Sequence, residues 1–393
     1  MAKVVVLGAG VSGHTAAAFL RKWLKKNDEV VVVSPEPKYN WIPSNIWVGV
    51  GLMNKDQVTF PLAPVYEKHQ IPFKQARAIA IYPDGRDLEH RQPAVEIEYT
   101  GTGARAGQRE FLPYDYLINA TGPKLNFGAT PGLGPTGHTL SVCTADHAVE
   151  TAHVLKEKID RMKRGERQRF VVGTGHGACT CEGAAFEYVV NLEFELRAKG
   201  VRDKADIVFL TNEYELGDFG VNGMHIRMGG YITPSKIFAE SLFAERGIEW
   251  ITRAHVRNVE PGIARIETLD GTLSDLKFDM AMLLPPFTGV GLKAYSPTGD
   301  DISDRLFAPN GFMKVDADYA KKSFADWKAS DWPKTYQSPA YKNIFAAGIA
   351  FAPPHPISQP RTTAADRSFR RRPRAPACHQ RSSARRSLAT SWG

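Results

Sequence analysis

Cysteine is scarce in this chain, which has only four among 393 residues. Cys143, Cys179, Cys181 and Cys378 are too few for a fold held together by disulfides. Their spacing also differs from that of the cysteine pairs that bind zinc. The sequence therefore predicts neither a disulfide scaffold nor a metal site, and a lone cysteine of this kind is ordinarily a small buried residue.

Long apolar runs are also lacking. No stretch approaches the roughly 18 consecutive apolar residues that a membrane-spanning helix needs. A glycine-rich motif begins within ten residues of Met1, where a secretory signal peptide would have its apolar segment. We therefore predict no transmembrane helix and no signal peptide.

The body of the chain lacks an excess of either charge, although the formal net charge is +8. Residues 361–393 contain nine arginines and a single acid, Asp366, so the other 360 residues carry 41 basic and 41 acidic groups. A nucleic-acid-binding domain normally concentrates basic residues on its folded surface. No nucleic-acid partner is predicted.

The arginine-rich end, residues 364–393, has no hydrophobic periodicity and is predicted to be disordered. A basic arm for anionic lipid is one interpretation. The preferred interpretation is a frameshifted end, because arginine, alanine, proline and serine dominate out-of-frame translation of GC-rich coding sequence.

Two glycine-rich loops follow predicted strands. The first strand, from Val4 to Leu7, runs into Gly8-x-Gly10-x-x-Gly13 and a predicted helix, and a second strand follows at 30–33. A strand, a glycine loop, a helix and a strand form the setting in which this motif binds a dinucleotide pyrophosphate. Ser34 ends the second strand, where an acid that binds the ribose is expected, and Glu36 follows shortly after.

The second loop resembles the first but carries thiols. The strand beginning at Phe170 leads to Gly173-Thr-Gly-His-Gly177, and the chain continues Ala178-Cys179-Thr180-Cys181. Thiols at the position of a second nucleotide indicate an electron donor other than NAD(P)H. The NADH alternative stays open, because Glu213 follows the predicted strand 206–210 as a plausible ribose acceptor.

These patterns predict an α/β fold with two Rossmann-like domains of the FAD/NAD-linked reductase type and a β-meander insert near residues 85–112. The FAD-binding domain is predicted to be discontinuous, with residues 1–165 and 285–363. Residues 166–284 form the second domain, which carries the cysteine loop.

Five motifs together resemble the sulfide:quinone oxidoreductases, which are related to the disulfide reductases and the type II NADH dehydrogenases. The resemblance spans roughly residues 1–363. It rests on the segments Trp41–Gly51, Ala120–Lys124, Ser141–Ala148, Gly177–Tyr188 and Leu283–Phe287.

The resemblance implies FAD as the cofactor and assigns residues to it. Its pyrophosphate loop would be Gly8, Ala9, Gly10 and Gly13. Ser34 and the backbone of Ala78 would lie at the adenosine end. The residues that would line the flavin are Pro43, Ser44, Asn45, Thr121, Gly122, Gly348 and Ile349.

The resemblance also implies the catalytic residues. Cys181 matches the family cysteine that receives sulfide sulfur, and Cys143 matches a more peripheral one. His147 matches a histidine implicated in proton handling. The cysteine expected as the partner of Cys181 is replaced by Ala350, so Cys179 or Cys143 must serve. Because the two thiols of the second loop lie at a predicted helix N-terminus, the helix dipole is expected to favour a thiolate there.

The expected substrates are sulfide or another reduced sulfur donor and a membrane quinone. The resemblance implies peripheral association with the cytoplasmic membrane of a prokaryote. The sequence does not specify the membrane face, and it leaves open whether the protein is a homo-oligomer. Two alternatives remain: an NADH:quinone oxidoreductase of the type II class, and an FAD-binding homologue with impaired catalysis.

Overall fold

A computed structural model describes residues 1–355. The predicted tail at 364–393, its Cys378 and the end of the predicted FAD domain at 356–363 lie outside the described residues.

The larger of two main sheets has eight strands, and its first five in spatial order are parallel. The central strands Lys3–Leu7 and Glu29–Ser34 are rich in valine because a parallel sheet is covered on both faces. The order across the sheet is Ile344–Ala346, Tyr116–Asn119, Lys3–Leu7, Glu29–Ser34, Phe73–Tyr82, Ala94–Tyr99 and Arg109–Pro113, with Lys293–Ala294 paired to Phe73–Tyr82.

The predicted β-meander is the antiparallel edge of this larger sheet. Phe73–Tyr82 pairs with Ala94–Tyr99, which pairs in turn with Arg109–Pro113. Since Phe73–Tyr82 also pairs in parallel with Glu29–Ser34, the meander continues the sheet directly.

The smaller main sheet has four parallel strands and underlies the cysteine loop. Their order is Ile248–Ile251, Ala205–Leu210, Gln168–Thr174 and Met280–Leu284. A three-stranded antiparallel sheet is inserted between Ile248–Ile251 and Met280–Leu284, and it is formed by Ala254–Glu260, Ile263–Thr268 and Leu273–Lys277. Three short strand pairs complete the β-structure: Lys38–Asn40 with Thr59–Pro61, Lys124–Leu125 with Phe287–Thr288, and His225–Met228 with Tyr231–Pro234.

Two helices begin at the glycine loops, as predicted. Val11–Trp23 follows the first loop, and Glu182–Ala198 follows the second. The other α-helices are Asn45–Gly49, Lys55–Val58, Leu62–Lys68, Ala145–Lys163, Ser235–Arg246 and Ser303–Leu306. The 3₁₀ turns are Ile42–Ser44, Phe127–Ala129, Arg202–Lys204, Phe324–Asp326, Ala329–Asp331 and Gly348–Ala350.

Helix Ala145–Lys163 packs on the smaller sheet. Its residues Ala148, Leu155 and Met162 belong to the same apolar core as Phe170 of that sheet. The predicted domain division at residue 165 remains a prediction, and it separates this helix from the core on which the helix packs.

Candidate active site

A cleft of about 520 Å³ opens at the carboxyl edge of the larger sheet. Its lining includes residues at the carboxyl ends of four parallel strands: Lys3–Leu7, Glu29–Ser34, Tyr116–Asn119 and Ile344–Ala346. Ligands of open α/β sheets bind at this edge, where connections leave the parallel strands in different directions. The position of the cleft is therefore that of a nucleotide site.

The first glycine loop forms the wall that would face a pyrophosphate. Gly8, Ala9 and Gly10 line the cleft, and a Cβ at Gly10 would meet no described atom within 4 Å. Among residues 1–355, no side chain caps helix Val11–Trp23 at its N-terminus, so its first N–H groups are available to an anion. Gly13 lies behind this wall, where any side chain would overlap the carbonyl of Gly8.

The part of the cleft that the sequence assigned to adenosine contains Ser34 and Ala78. Ser34 is buried, and its Oγ accepts a hydrogen bond from the N–H of Glu36 at 3.3 Å. Glu36 and Arg77 line the same end, and sequence reasoning did not assign them to the site. A carboxylate therefore lines the cleft two residues after the position at which the ribose acceptor was expected, at Glu36.

The opposite end contains the predicted Thr121, Gly122 and Ile349. Gly122 and Gly348 both adopt positive φ, and a side chain at Gly348 would overlap Ser12. Gly348 thus allows the late loop to approach helix Val11–Trp23 closely.

The predicted residues Pro43, Ser44 and Asn45 are next to the cleft wall rather than among its lining. Ser44 is buried, and Asn45 has no exposed surface. Asn45 exchanges amide hydrogen bonds of 2.9 and 3.1 Å with Asn40, which does line the cleft. Asn45 therefore supports the cleft wall through Asn40.

The second glycine loop is closed by the protein itself. A Cβ at Gly175 would lie 2.5 Å from Leu133 Cδ1. The N–H of Gly177 donates to His255 Nδ1 at 2.8 Å, and the N–H of Ala178 donates to His176 Nδ1 at 3.0 Å. These backbone donors correspond to those that bind phosphate in a nucleotide site, and here they are bound internally.

Glu213 is also committed internally. It is fully buried, its Oε1 accepts from the N–H of Phe219 at 2.7 Å, and its Oε2 accepts from Thr211 Oγ1 at 2.9 Å. The role of ribose acceptor proposed from the sequence is therefore not supported by its contacts.

Three cysteines meet beside the N-terminus of helix Glu182–Ala198. Cys181 is the N-cap residue of this helix. Cys143 and Cys181 are partly exposed, whereas Cys179 is buried and donates its thiol hydrogen to Pro285 O at 3.5 Å. Each is a free thiol, and they pack on one apolar core.

The expectation that the helix terminus holds a thiolate is opposed by burial. Burial, followed by the neighbouring Cys143 and Glu182, raises the pKa of Cys181 from 9.0 to about 12. That rise corresponds to ~4 kcal/mol, whereas a helix terminus contributes at most ~2 kcal/mol. Burial also raises the pKa values of Cys143 and Cys179. Burial therefore favours the protonated thiol at all three positions.

His147 lies at the start of the helix that follows Cys143. Its backbone N–H donates to the Oγ1 of Thr144, which is the N-cap residue of helix Ala145–Lys163. Its ring meets the ring of Phe127 edge-on, with 5.9 Å between the ring centroids. Burial lowers the pKa of His147, although Glu150 and Asp146 oppose this effect. Its imidazole is consequently neutral near pH 7.

Two connections join the thiols to the cleft. Pro285, which accepts from Cys179, is followed by strand Phe287–Thr288 and then by Val290 in the cleft lining. The N–H of Ala145, two residues after Cys143, donates to Asn40 Oδ1 at 3.2 Å. The thiols are thus linked to the cleft lining along the chain after Pro285 and by one hydrogen bond to Asn40.

The chain matches the family model for pyridine nucleotide-disulphide oxidoreductases over residues 2–322. It is 32% identical over 355 residues to a sulfide-quinone reductase of Aquifex aeolicus, an alignment that covers 90% of this chain and 70% of that protein.

The X-ray structure of the sulfide:quinone oxidoreductase from Aquifex aeolicus superposes with a TM-score of 0.69 at 30% identity, covering 91% of this chain and 71% of that one. The chain belongs to the sulfide:quinone oxidoreductase family. Membership confirms the resemblance, the two-domain Rossmann-like fold, the oxidoreductase class and FAD as the cofactor.

A more distant likeness exists to an external alternative NAD(P)H-ubiquinone oxidoreductase of Solanum tuberosum. The two are 30% identical over 268 residues, which cover 65% of this chain and 42% of that protein. The match is thus shorter than the one to the sulfide-quinone reductase.

Helices long and apolar enough to cross a membrane are not found among residues 1–355.

Proposed function

We propose that this protein oxidises sulfide, or a related reduced sulfur compound, at Cys181 and passes the electrons through FAD to quinone. The observation that carries the proposal is the second glycine loop, whose backbone donors at Gly177 and Ala178 are bound internally and which carries the free thiols of Cys179 and Cys181. Such a loop suits a sulfur donor rather than a pyridine nucleotide.

The second redox thiol is assigned to Cys143. Sulfide oxidation through cysteine needs two sulfur atoms that exchange a disulfide or persulfide. Cys179 is 2% exposed and its thiol is hydrogen-bonded to Pro285, whereas Cys143 and Cys181 are both partly exposed. Cys143 therefore compensates for Ala350, which stands where the family's partner cysteine is expected.

The sulfur step starts from the oxidised Cys143–Cys181 pair. Hydrosulfide attacks Cys181, the bond between the two cysteine sulfurs breaks, and Cys143 leaves as the thiolate. Cys181 then carries the persulfide sulfur. A second hydrosulfide takes that sulfur as the hydrogen disulfide anion and leaves Cys181 as a thiolate. FAD, held by the first glycine loop and the cleft beyond it, would accept the two electrons released when the two thiolates rejoin as the disulfide.

His147 is the proposed proton acceptor near Cys143. The thiols have raised pKa values, so forming a thiolate requires a base. The lowered pKa of His147 leaves its imidazole neutral and able to accept a proton at neutral pH.

Quinone reduction is assigned to the flavin end of the cleft. Ile42 lines that end, and the neighbouring Trp41 is 46% exposed, so an apolar ring has a surface on which to pack. A membrane quinone as acceptor requires peripheral association with a membrane, and the proposed location is the cytoplasmic membrane of a prokaryote.

Steady-state reduction of decylubiquinone by sulfide tests this function. We expect Cys181→Ser to lower kcat at least 100-fold, because the sulfur acceptor is lost, while FAD content stays unchanged. Cys143→Ser should have an effect of similar size, and Cys179→Ser should retain activity within about tenfold.

Two outcomes would overturn parts of the assignment. If Cys179→Ser loses activity and Cys143→Ser retains it, the role of second redox thiol belongs to Cys179. A wild-type protein that contains FAD but shows no sulfide-dependent turnover would be the catalytically impaired homologue.

A further inference from the structure

The cysteine loop, residues 176–181, is hydrogen-bonded to a strand outside the four-stranded sheet that underlies it. His255 lies on strand Ala254–Glu260 of the three-stranded sheet, and its Nδ1 accepts the N–H of Gly177 at 2.8 Å. The ring of His176 meets that of His255 edge-on, with 4.6 Å between centroids. Residues 78 positions apart thus meet at the base of the loop.

We propose that His255 is a positioning residue that holds the cysteine loop in the form that keeps Cys181 at the N-terminus of its helix. Its importance for sulfide oxidation rests on the function proposed above. The structural claim does not, because it concerns the conformation and the reactivity of the loop alone.

The loop is held on two sides. His176 accepts the N–H of Ala178 through Nδ1, and its backbone carbonyl accepts the N–H of Cys179 at 3.1 Å. On the other side, Asn212 Nδ2 donates to the carbonyls of Gly177 and Cys179, both at 2.9 Å. His255 supplies the contact that binds this loop to the three-stranded sheet, and it requires an unprotonated Nδ1.

The groups that face His255 maintain this state near neutral pH. Burial lowers the pKa of His255 to about 4, and the neighbouring His176 and Arg257 act in the same direction. Glu267 opposes them, and it also accepts a hydrogen bond from Arg257 at 2.6 Å. His255 is therefore a neutral acceptor at pH 7, with its proton on Nε2.

Loss of the His255 contact should loosen the loop and expose Cys181. Burial is the main cause of the high pKa of this thiol, so exposure lowers the pKa and increases the thiolate fraction. Alkylation, which needs the thiolate, should then become faster.

The test measures the rate at which iodoacetamide alkylates Cys181 in the FAD-loaded protein, with its cysteines first reduced to free thiols, at pH 7.5, read on the Cys181 peptide by mass spectrometry. We expect His255→Leu, which removes the acceptor, to accelerate alkylation by about tenfold or more. His255→Asn places an oxygen near the position of Nδ1 and should return the rate to within twofold of the wild type. His153→Leu, at an exposed histidine on helix Ala145–Lys163, is the matched control and should leave the rate unchanged.

A rate in His255→Leu within twofold of the wild type overturns the proposal. A folded His255→Asn protein that is alkylated tenfold faster than the wild type also overturns it. The asparagine variant therefore decides the question even if the leucine variant does not fold. Because neither sulfide nor quinone is present, a protein inactive with sulfide that still shows the alkylation pattern would retain the positioning role and lose only the proposed function.

Discussion

The two glycine loops share a strand–loop–helix course and differ in what fills them. In the first loop, a side chain at Gly10 would enter open space in the cleft. In the second, the equivalent Gly175 is packed against Leu133, and the next backbone donors are bound by His176 and His255. One loop is open to a ligand, and the other is occupied by the protein.

This difference shows that the glycine pattern specifies a backbone path rather than a ligand. Both loops need glycine for close approach, since a side chain at Gly8 would overlap Ala120 and one at Gly173 would overlap Leu210. Which ligand each loop accepts depends on residues distant in sequence that either leave the N–H groups available or bind them.

The largest expected effect is a loss of FAD affinity when a negative charge is placed in the first glycine loop. Gly10→Asp should lower FAD affinity at least 100-fold, because a carboxylate would face the pyrophosphate at the helix N-terminus. The measurement is FAD content after purification and rebinding to the apoprotein. Gly103→Asp, in a turn where a Cβ also meets no described atom within 4 Å, is the control and should retain FAD. Equal FAD binding by both variants would refute the assignment of the cleft.

A single methyl group should distinguish the loops by stability. Gly175→Ala would press on the buried Leu133 and should lower the free energy of unfolding by ~1–3 kcal/mol. Gly10→Ala should change that of the apoprotein by less than ~0.5 kcal/mol. Urea denaturation of both variants checks this expectation.

The same pair offers an internal check. In Gly175→Ala combined with Leu133→Ala, the loss should be smaller than the sum of the single losses, because the second change removes the overlap. Simple additivity would mean that Leu133 does not close the loop.

The smallest expected effect concerns pH. His255 has a pKa of about 4 in the fold and an ordinary value of 6.5 when unfolded, so between these values the unfolded state binds more protons. Stability should therefore fall as pH decreases from 6.5 towards 4, by ~1–2 kcal/mol more in the wild type than in His255→Asn. Urea denaturation at pH 7 and pH 4.5 measures this difference, and parallel losses in the two proteins would contradict it.

The sequence predicted the first loop well because its determinants are local. Strand Lys3–Leu7, the glycines and helix Val11–Trp23 follow one another, and each has a distinct pattern. The meander was recognised near residues 85–112 for the same reason, although its first strand, Phe73–Tyr82, lies before that segment.

The closure of the second loop was not predictable from its own residues. Leu133 lies 42 positions before Gly175, and His255 lies 78 positions after Gly177, so neither carries a local signal. The pKa of Cys181 was misjudged because the helix start is visible in sequence, whereas its burial depends on tertiary packing. Arg77 was missed although it precedes the predicted Ala78, because strand alternation gave no reason to place it in the cleft.

Anaerobic mixing of the FAD-loaded protein with sulfide or with NADH tests the contrast between the loops most directly. The flavin absorbance near 450 nm is followed in parallel at equal donor concentrations. The open first loop and the closed second loop predict rapid bleaching by sulfide and none by NADH on the same timescale. Rapid bleaching by NADH without bleaching by sulfide would contradict this account and identify the second loop as a nucleotide site.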